Sequence, residues 1–472
     1  MRHTRIIATL GPASDTPAQL DRMLAAGVDI VRLNFSHGSH ATHRTAVERL
    51  RDAAARANRI VAVLQDLPGP KIRTGPLEGG RPIPLAAGDT LVVATGEATG
   101  RPGLVFTPYA PLAQSVRPGQ HLLLDDGRVV LRVESSDGER ITATVVHGSQ
   151  LGEHKGINAP GVALPAVGLS ARDEEHLAFG LELGVDFIAL SFVTRASDIA
   201  AARDAIRRRS RDPVPIIAKL ERPEAIEHLD EILESADAVM VARGDLGLEM
   251  PLERVPAVQK DVTRRARAHG RPVIVATQVL DSMRSEPRPT RAEVSDAANA
   301  VEDGVDAIML TGETAAGAFP VRAVETLDAV IREAETHPLD LVSPTRSRLM
   351  HAEHGQAMCE AAVALAEEVR AEAIVAVTRE GNTARMLSTL RPRAPILAAT
   401  ERPEIARRLM LFRGVVPIVA PLGGSVDDTG AAVARELRAR GLLHGGDEVV
   451  FVNVQEDLRR PGANFIKLSR VD

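Results

Sequence analysis

Short apolar runs alternate with amphipathic segments along most of the chain. Such runs, four to seven residues long, are typical of buried parallel strands, and one connecting segment has the start and stop signals of a helix at Thr16-Pro17 and Gly27. The eight runs are RIIATL, DIVRLNF, IVAVLQD, FIALSF, IIAKLE, AVMVARG, VIVATQ and AIML. Eight βα units predict an α/β fold with a TIM (β/α)8 barrel, and a doubly wound open sheet is the alternative.

Two further regions interrupt or follow this pattern. From about Leu67 to Gly161 the chain is rich in Pro and Gly and carries short alternating runs, which predicts a small inserted β domain. From about His337, five more apolar runs alternate with helical stretches and predict a separate α/β domain. We therefore expect a barrel from residues 1–66 and 162–337, an inserted lid from 67–161 and a C-terminal domain from 338–472.

Polar residues collect where the apolar runs end, which in a barrel is the edge that holds the active site. They are Arg32, Asn34, Asp66, Lys219, Glu221, Asp245, Thr277 and Glu313. Residues two apart on a strand face the same way, so Lys219 and Glu221 share one space. A cation and a carboxylate there, joined by Asp245, suit a divalent metal with a phosphate beside it. The alternative is that these residues form surface salt bridges at strand ends without a ligand.

Composition narrows the class of protein. The 472 residues are 44% hydrophobic and 25% charged, with a net charge of -6 and no apolar stretch of membrane-spanning length. One cysteine, Cys359, rules out an internal disulfide framework, and with no signal-peptide pattern at the N-terminus it predicts a cytoplasmic location. Aromatic residues are 2% of the chain, which argues against a base-stacking surface for nucleic acid.

Nine segments together resemble one family, the pyruvate kinases, in order and in spacing. They are IIATLGPAS, VRLNFSHG, DLPGPKIRTG, HKGINAPG, IIAKLE, MVARGDLGLE, ATQVLDSM, PTRAEVSDAANAVEDG and MLTGETAAG. The resemblance implies a barrel, an inserted β-barrel lid and a C-terminal α/β domain. It also implies transfer of phosphate from phosphoenolpyruvate to ADP, which gives pyruvate and ATP, by a protein that is usually a tetramer.

The resemblance also implies roles for individual residues. Glu221 and Asp245 would hold Mg²⁺ or Mn²⁺, and Lys219 would stabilise the phosphoryl group in transfer. Arg32 and Arg73 would contact the phosphate, and the backbone of Gly244 and Asp245 would contact the substrate carboxylate. Thr277, with Glu313, would take part in proton supply. The nucleotide would contact Asn34, His37, Arg73 and Lys155. Thr311 stands where serine is usual and keeps the hydroxyl group.

One departure from the family pattern concerns a monovalent cation. By resemblance, the site for this ion corresponds to Asn34, Ser36, Asp66 and the backbone of Leu67. Many members carry glutamate where this chain has Lys71, and the lysine ammonium group can replace the ion as fixed positive charge. We therefore expect that K⁺ is not required.

A second departure lies in the C-terminal domain, where many members bind a sugar phosphate. The matching loop here contains Thr378, Arg379, Glu380, Gly381, Asn382 and Thr383. Glu380 places a carboxylate where a phosphate would sit, so a bisphosphate effector should be repelled. With Arg379 and the stretch Arg459–Gly462 nearby, a monophosphate is the expected effector, and an ordinary surface loop is the alternative.

Two other functions remain open from the residues. A Mg²⁺-dependent aldolase or lyase acting through an enolate would also pair Glu221 with Asp245, but it leaves the lid unexplained. A catalytically silent metabolite sensor is the alternative from a different class, although the expected catalytic positions are filled. Formation of ATP from ADP and phosphoenolpyruvate separates these possibilities.

Overall fold

The computed structural model describes residues 1–162, 164, 169–336, 353–423, 426–454 and 464–471. In these ranges no helix combines the length and the apolar character needed to cross a membrane. The expected stretch Arg459–Gly462 lies outside the described residues.

The chain begins with three strands and two helices of a barrel. These are β1 (Arg5–Thr9), α1 (Pro17–Ala26), β2 (Ile30–Asn34), α2 (His40–Arg56) and β3 (Ala62–Asp66). Thr16 caps α1 and accepts a hydrogen bond from Gln19 N, and Gly27 ends the helix with a left-handed φ of 115°. The start and stop signals in the sequence therefore mark the ends of this helix.

The inserted lid follows β3. Its elements are β4 (Ile83–Pro84), β5 (Thr90–Thr95), β6 (Leu104–Thr107), α3 (Pro111–Ser115), β7 (His121–Leu124), β8 (Val129–Ser136), β9 (Arg140–His147), β10 (Gln150–Leu151) and β11 (Ile157–Asn158). Six strands form a mixed sheet in the order β11-β7-β8-β9-β5-β6, and β10 pairs with β4. Both sheets share one buried apolar cluster, so the lid has a core of its own.

The barrel resumes after the lid. Its remaining elements are α4 (Ala171–Leu183), β12 (Phe187–Leu190), α5 (Ala196–Arg209), β13 (Ile216–Leu220), α6 (Pro223–Glu227), α7 (Leu229–Ser235), β14 (Ala238–Ala242), α8 (Arg243–Glu249), α9 (Val255–Ala268), β15 (Val273–Ala276), α10 (Arg291–Glu302), β16 (Ala307–Leu310), α11 (Gly312–Ala315) and α12 (Pro320–Ala334). Short 3-10 turns cover Glu78–Gly80, Leu252–Arg254 and Asp281–Arg284.

Eight parallel strands close the barrel in the order β1-β16-β15-β14-β13-β12-β3-β2, which confirms the predicted TIM barrel over the open sheet. Alternate strand residues point inward to one apolar cluster and outward to a second cluster shared with the helices. Both faces of each strand are thus buried, which explains why the strands are continuous apolar runs in the sequence.

Four aspartates join neighbouring strands at the amino-terminal end of the barrel. Each precedes one strand, and a carboxylate oxygen of each accepts a backbone N–H from the strand beside it. The pairs are Asp29 with Ile6 at 2.9 Å, Asp186 with Val63 at 2.8 Å, Asp237 with Ile216 at 2.8 Å and Asp306 with Val273 at 2.9 Å. This recurring aspartate, which the sequence reasoning missed, stabilises the end of the barrel opposite the polar cluster.

The last domain is the expected α/β unit. It contains α13 (Glu353–Glu368), β17 (Ala373–Val377), α14 (Asn382–Thr389), β18 (Ile396–Thr400), α15 (Pro403–Leu409), β19 (Val415–Val419), α16 (Val426–Ala439), β20 (Glu448–Asn453) and β21 (Phe465–Arg470). Its sheet has the order β19-β18-β17-β20-β21, with β21 antiparallel. Arg5 of β1 joins this domain to the barrel, because its Nε donates to Phe412 O at 3.2 Å.

Candidate active site

Lys219 is the centre of the polar cluster at the carboxyl ends of the strands. It lies on β13, is 9% exposed, and its ammonium nitrogen contacts Glu221 Oε1 at 2.8 Å, Asp66 Oδ1 at 3.2 Å and Ser191 Oγ at 2.7 Å. Burial alone would lower the pKa of Lys219, but the two carboxylates raise it above its ordinary value. The ammonium group is therefore a buried positive charge, and it meets Glu221 as their spacing on the strand predicted.

Asp66, at the end of β3, is paired inside the protein. Arg32 donates to its Oδ2 through Nε and Nη2, each at 2.7 Å, and also contacts Thr9 Oγ1 through Nη1 at 3.1 Å. Burial would raise the pKa of Asp66, but Lys219 and Arg32 together hold it below its ordinary range. Arg32 keeps further N–H groups beyond these contacts, so it can still meet a phosphate.

Glu221 and Asp245 are the two carboxylates that would hold a divalent metal. Glu221 is 2% exposed, and its Oε2 accepts the N–H of Phe192 at 2.7 Å. Burial raises the pKa of Glu221, Lys219 opposes the shift, and the nearby charge of Asp245 adds to it. A cation shared by the two carboxylates would relieve this repulsion, so the donor set fits Mg²⁺, which needs only one or two protein carboxylates. In the described residues, no cluster of three or more His, Cys, Asp or Glu side chains forms a metal site.

Gly244 and Thr277 contact each other across the mouth of the barrel. The N–H of Gly244, in the first turn of α8, donates to Thr277 Oγ1 at 2.7 Å, and that hydroxyl donates to Ala276 O at 2.6 Å. The Gly244 N–H, which was expected to meet the substrate carboxylate, is thus bonded within the chain in this conformation. Thr277 also has a left-handed φ of 67°, a strained geometry for a β-branched residue that is often found at functional sites.

Glu313, which was expected to take part in proton supply with Thr277, accepts hydrogen bonds within the chain. Its side chain is 0% exposed, with Oε1 accepting the N–H of Leu280 at 3.1 Å and Oε2 accepting the N–H of Thr311 at 2.8 Å and its hydroxyl at 3.2 Å. These bonds fix the loops that follow β15 and β16. Glu313 therefore holds the loop that contains Thr277 against the loop after β16, and the Thr311 hydroxyl contributes one of these bonds.

Lys71 approaches the cluster from the hinge that leads into the lid. Its ammonium group lies 3.9 Å from Asp245 Oδ1, whereas Asp66 is paired with Arg32 and Lys219. The contact of Lys71 is thus with Asp245, while Asp66 has two other cationic partners. Asn34 Oδ1 accepts the N–H of Ser36 at 3.1 Å, which holds the turn after β2 where the monovalent ion was expected.

The residues expected to meet the nucleotide lie on both sides of the mouth. Burial and the positive charges of Arg73, Arg32 and Lys71 lower the pKa of His37, so these three cationic side chains form one positive region around it. Lys155, at the return edge of the lid, pairs with Asp125 at 2.9 Å. Its backbone N–H also donates to Thr74 Oγ1 at 2.9 Å. Both contacts hold Lys155 within the lid.

The predicted effector loop connects β17 to α14. Gly381 has a left-handed φ of 86°, and its N–H donates to Thr378 Oγ1 at 3.0 Å. Arg402 Nη1 donates to both carboxylate oxygens of Glu380, each at 2.9 Å. The loop residues Arg379 and Asn382 are exposed and Thr383 is buried. Glu380 therefore already accepts hydrogen bonds from a guanidinium group that would otherwise be available to bind a phosphate.

Two positioning groups were missed by the sequence reasoning. Ser191 Oγ accepts from Lys219 and donates to Leu67 O at 2.8 Å, and Thr9 supports Arg32. Both residues stand at the ends of barrel strands, so the rule that selected Lys219 and Asp66 applies to them too. Their small hydroxyl groups gave no charge signal in the sequence.

Comparison with known proteins gives consistent matches over both parts of the chain. The model of the pyruvate kinase barrel domain matches residues 1–324, and that of the pyruvate kinase alpha/beta domain matches residues 356–469. A pyruvate kinase of Sporosarcina psychrophila is 40% identical over 95% of this chain and 77% of its own length. One from Mycobacterium intracellulare is 42% identical over 96% of this chain and 94% of its own. A crystal structure of a pyruvate kinase from Cryptosporidium parvum has a TM-score of 0.89 and 35% identity, covering 100% of this chain and 96% of that one.

Proposed function

The chain belongs to the pyruvate kinase family, and from this premise we propose how its own residues carry out the reaction. The protein is a glycolytic phosphotransferase that passes phosphate from phosphoenolpyruvate to ADP, giving pyruvate and ATP. The observation that carries the proposal is the buried ammonium group of Lys219, held by Asp66, Glu221 and Ser191.

Phosphoryl transfer breaks the bond from phosphorus to the enol oxygen and forms a bond to the terminal oxygen of ADP. Charge on the phosphoryl oxygens must be balanced while both bonds are partial, which is the largest task for the protein. We assign that task to Lys219, whose ammonium group is already fixed and desolvated, with Arg32 beside it. Because these charges are in place before the substrate arrives, little reorganisation is needed during transfer.

Glu221 and Asp245 are the residues that would hold Mg²⁺ or Mn²⁺ in this scheme. When bound, the ion would supply positive charge that offsets the negative charge of the substrate. The ammonium group of Lys71 lies 3.9 Å from Asp245 Oδ1 and adds positive charge beside that carboxylate.

The enolate left by phosphoryl transfer becomes pyruvate when a proton is added to its terminal carbon. Thr277 is the hydroxyl group that we place at this carbon, with a water chain behind it as the proton source. In the free protein this hydroxyl is held by Gly244 and Ala276, so substrate binding must exchange the bond from Gly244. Glu313 is a positioning residue in this proposal, because it fixes the loop behind Thr277 and does not touch the reacting atoms.

The nucleotide would bind between the barrel and the lid, beside Asn34 and on the positive region around His37 that includes Arg73. Lys155 would leave Asp125 and reach the ADP phosphates as the lid closes, a movement that also excludes water from the transferring group. By family resemblance we also propose that the protein is a homotetramer. A phosphorylated effector would bind at the Thr378–Thr383 loop, although the carboxylate of Glu380 opposes its binding there.

The test is an assay of pyruvate and ATP from phosphoenolpyruvate and ADP in the presence of Mg²⁺. Product formation should require all three additions, and one ATP should form for each pyruvate. Pyruvate release without ADP would instead indicate a lyase, and binding of phosphoenolpyruvate without turnover would indicate a sensor. As a residue-level check, Glu221→Gln should weaken Mn²⁺ binding, measured by electron paramagnetic resonance, while Glu253→Gln should leave it unchanged.

A further inference from the structure

Helix α8 touches both the candidate active site and the lid. Its first turn carries Gly244 and Asp245, and its last residue, Glu249, accepts a hydrogen bond from Asn158 Nδ2 at 2.7 Å. Asn158 belongs to β11, the strand that pairs with β7 in the lid sheet. One short helix therefore carries a candidate metal-binding carboxylate in its first turn and a hydrogen-bonded contact with the lid at its last residue.

The turn between β7 and β8 also lies against this helix. A Cβ atom added to Gly127, which has a left-handed φ of 81°, would stand 3.2 Å from Leu248 Cδ2. Leu248 and Glu249 thus contact two different segments of the lid, one by packing and one by a hydrogen bond. Such a pair of contacts fixes an orientation better than either contact alone.

A parallel contact begins next to the other metal-binding carboxylate. Arg222 follows Glu221, and its Nη2 donates to Val162 O at 3.3 Å on the return path from the lid. Arg222 also pairs with Glu224 at 3.3 Å, which keeps its guanidinium group in place. The residues beside both carboxylates therefore meet the lid or the segment that leads back from it.

Asn158 is also close in sequence to the predicted nucleotide contact Lys155. The segment between them makes an isolated bridge from Gly156 to Arg73 and then enters β11. A shift of Asn158 relative to Glu249 would therefore move Lys155 relative to Asp245. The carboxylate of Glu249 is half-buried and needs a donor, so its bond to Asn158 is costly to lose.

We infer that Asn158 and Glu249 form a strut that sets the angle of the lid over helix α8 and so positions Lys155 for the nucleotide. The role in catalysis rests on the proposed function, whereas the role in lid geometry does not. Asn158 and Glu249 act here as positioning residues, since neither is placed against the reacting atoms. The alternative is a contact that only adds stability to the folded protein.

The first measurement compares lid geometry in labelled proteins. Spin labels at Val146→Cys on the lid and Arg264→Cys on α9 occupy exposed sites, with relative exposures of 46% and 73%. The native Cys359 is fully buried, and burial raises its pKa to about 12, so it should not react with the label. Distances between the labels are then measured in the ligand-free protein by double electron-electron resonance.

We expect Asn158→Ala to broaden and shift the distribution of label distances, and the double variant with Glu249→Ala to give the same distribution. Glu249→Gln keeps an acceptor oxygen and should restore the native distribution, while Glu253→Ala, an exposed neighbour, serves as the matched control. If Asn158→Ala and the double variant both keep the native distance, the inference is overturned, whatever the activity of the protein.

The second measurement is steady-state kinetics with the same variants. Loss of the strut should raise the Michaelis constant for ADP by about five- to tenfold, and that for phosphoenolpyruvate much less, because only the lid contact to the nucleotide changes. The two alanine substitutions should not be additive, since each removes the same bond. Equal changes for both substrates, or fully additive effects, would contradict a strut that acts through the lid.

Discussion

Both ends of the barrel bury charged side chains, and the two ends differ in where those charges find their partners. At the amino-terminal end, Asp29 accepts from Ile6 N and from Arg2 at 2.6 Å, and Arg5 and Arg59 lie 3.7 Å from its other oxygen. At the carboxyl end, Asp66 is paired in a similar way with Arg32 and Lys219. The carboxylate of Asp245, by contrast, lies 3.9 Å from the ammonium group of Lys71, too far for a hydrogen bond. One end is complete within the chain, and the other leaves a carboxylate available to a ligand.

This contrast shows that burial of charge alone does not identify an active site. A buried ion pair stabilises little in net terms, but removal of one partner is costly because it leaves the other uncompensated. At the amino-terminal end that cost protects the fold. At the carboxyl end the same physics favours the arrival of a cation and a substrate, and the protein gains function from the incomplete pairing.

The largest expected effect lies at the complete end. Asp29→Ala leaves Arg2, Arg5 and the N–H of Ile6 without their carboxylate, and we expect a loss of about 3–5 kcal/mol in the free energy of unfolding. Urea unfolding measures this change, and turnover of the folded fraction should stay near the native value. Asp21→Ala, in an exposed pair with Arg56 at 2.8 Å, is the control and should cost at most about 1 kcal/mol. Equal losses in the two variants would remove the distinction between the ends.

The matching change at the incomplete end is Lys219→Met. We expect turnover to fall by at least about 10²–10³-fold, the range for losing one preorganised stabilising group, while phosphoenolpyruvate still binds. Steady-state rates and calorimetric binding measure the two quantities. Lys260→Met, in an exposed pair with Asp303, should leave both unchanged. Near-native turnover of the Lys219 variant would show that the ammonium group is not the main electrostatic catalyst.

At the amino-terminal end of the barrel, His3 should make the stability of the fold depend on pH. Burial lowers the pKa of His3 from 6.5 to about 4; Arg413 and Arg5 also lower it, while Glu335 opposes the shift. Between these two values the unfolded chain binds a proton that the folded protein does not, so stability falls as pH drops from about 6.5 to about 4.

The loss assigned to His3 is on the order of 2–3 kcal/mol at the acid limit. His3→Gln should therefore flatten the dependence of the unfolding free energy on pH in this window. Burial would raise the pKa of Glu335, but hydrogen bonds from His3 N and Thr4 and the charge of Arg413 lower it, so Glu335 would still contribute a slope at lower pH. An unchanged slope between pH 6.5 and 4 in His3→Gln would contradict the assignment.

The barrel and the polar cluster at its carboxyl end were visible in the sequence, and the reason is periodicity, whereas the aspartates of the amino-terminal end were missed. Eight buried strands and their order follow from apolar runs such as IIAKL, because both faces of a barrel strand need apolar residues. Strand spacing also placed Lys219 beside Glu221, where the structure has them 2.8 Å apart. Local rules of this kind hold because they depend on neighbours along the chain.

Other features depend on contacts between distant segments and could not be read in the same way. The contacts of Lys71 depend on how the chain enters the lid, so its approach to Asp245 at 3.9 Å could not be read from its position in the sequence. The state of the Gly244 N–H depends on Thr277, which lies 33 residues further along. Glu313 shows the same limit, because only the packed loops reveal that its oxygens are already bonded.

The role of Lys71 gives a smaller test of the incomplete end. With its charge near Asp245, we still expect similar turnover in Na⁺, K⁺ and large organic cation buffers. Lys71→Glu should create a dependence on K⁺ of about tenfold, equivalent to about 1.4 kcal/mol for one lost charge contact. Lys71→Gln separates loss of positive charge from gain of negative charge. Strong activation of the native protein by K⁺ would refute the prediction.

The smallest expected effect concerns the Thr378–Thr383 loop, where an exposed carboxylate already occupies the place expected for a ligand. Glu380 holds Arg402 through two bonds of 2.9 Å, so an incoming phosphate must compete with an anion of the protein itself. A sugar bisphosphate should therefore change half-saturation by phosphoenolpyruvate very little, and a monophosphate such as AMP is the better candidate.

Glu380→Gln removes the competing charge and should increase the response to a phosphorylated effector by about fivefold, the scale of one exposed ion pair of about 1 kcal/mol. Saturation curves with each effector measure this response, and Glu372→Gln, at an exposed position before β17, is the control. Because the Glu380–Arg402 pair is solvent-exposed, added salt should weaken it and narrow the difference between the native protein and the variant. A marked response of the native protein to fructose bisphosphate, with none to monophosphates, would mean that Glu380 does not exclude the second phosphate.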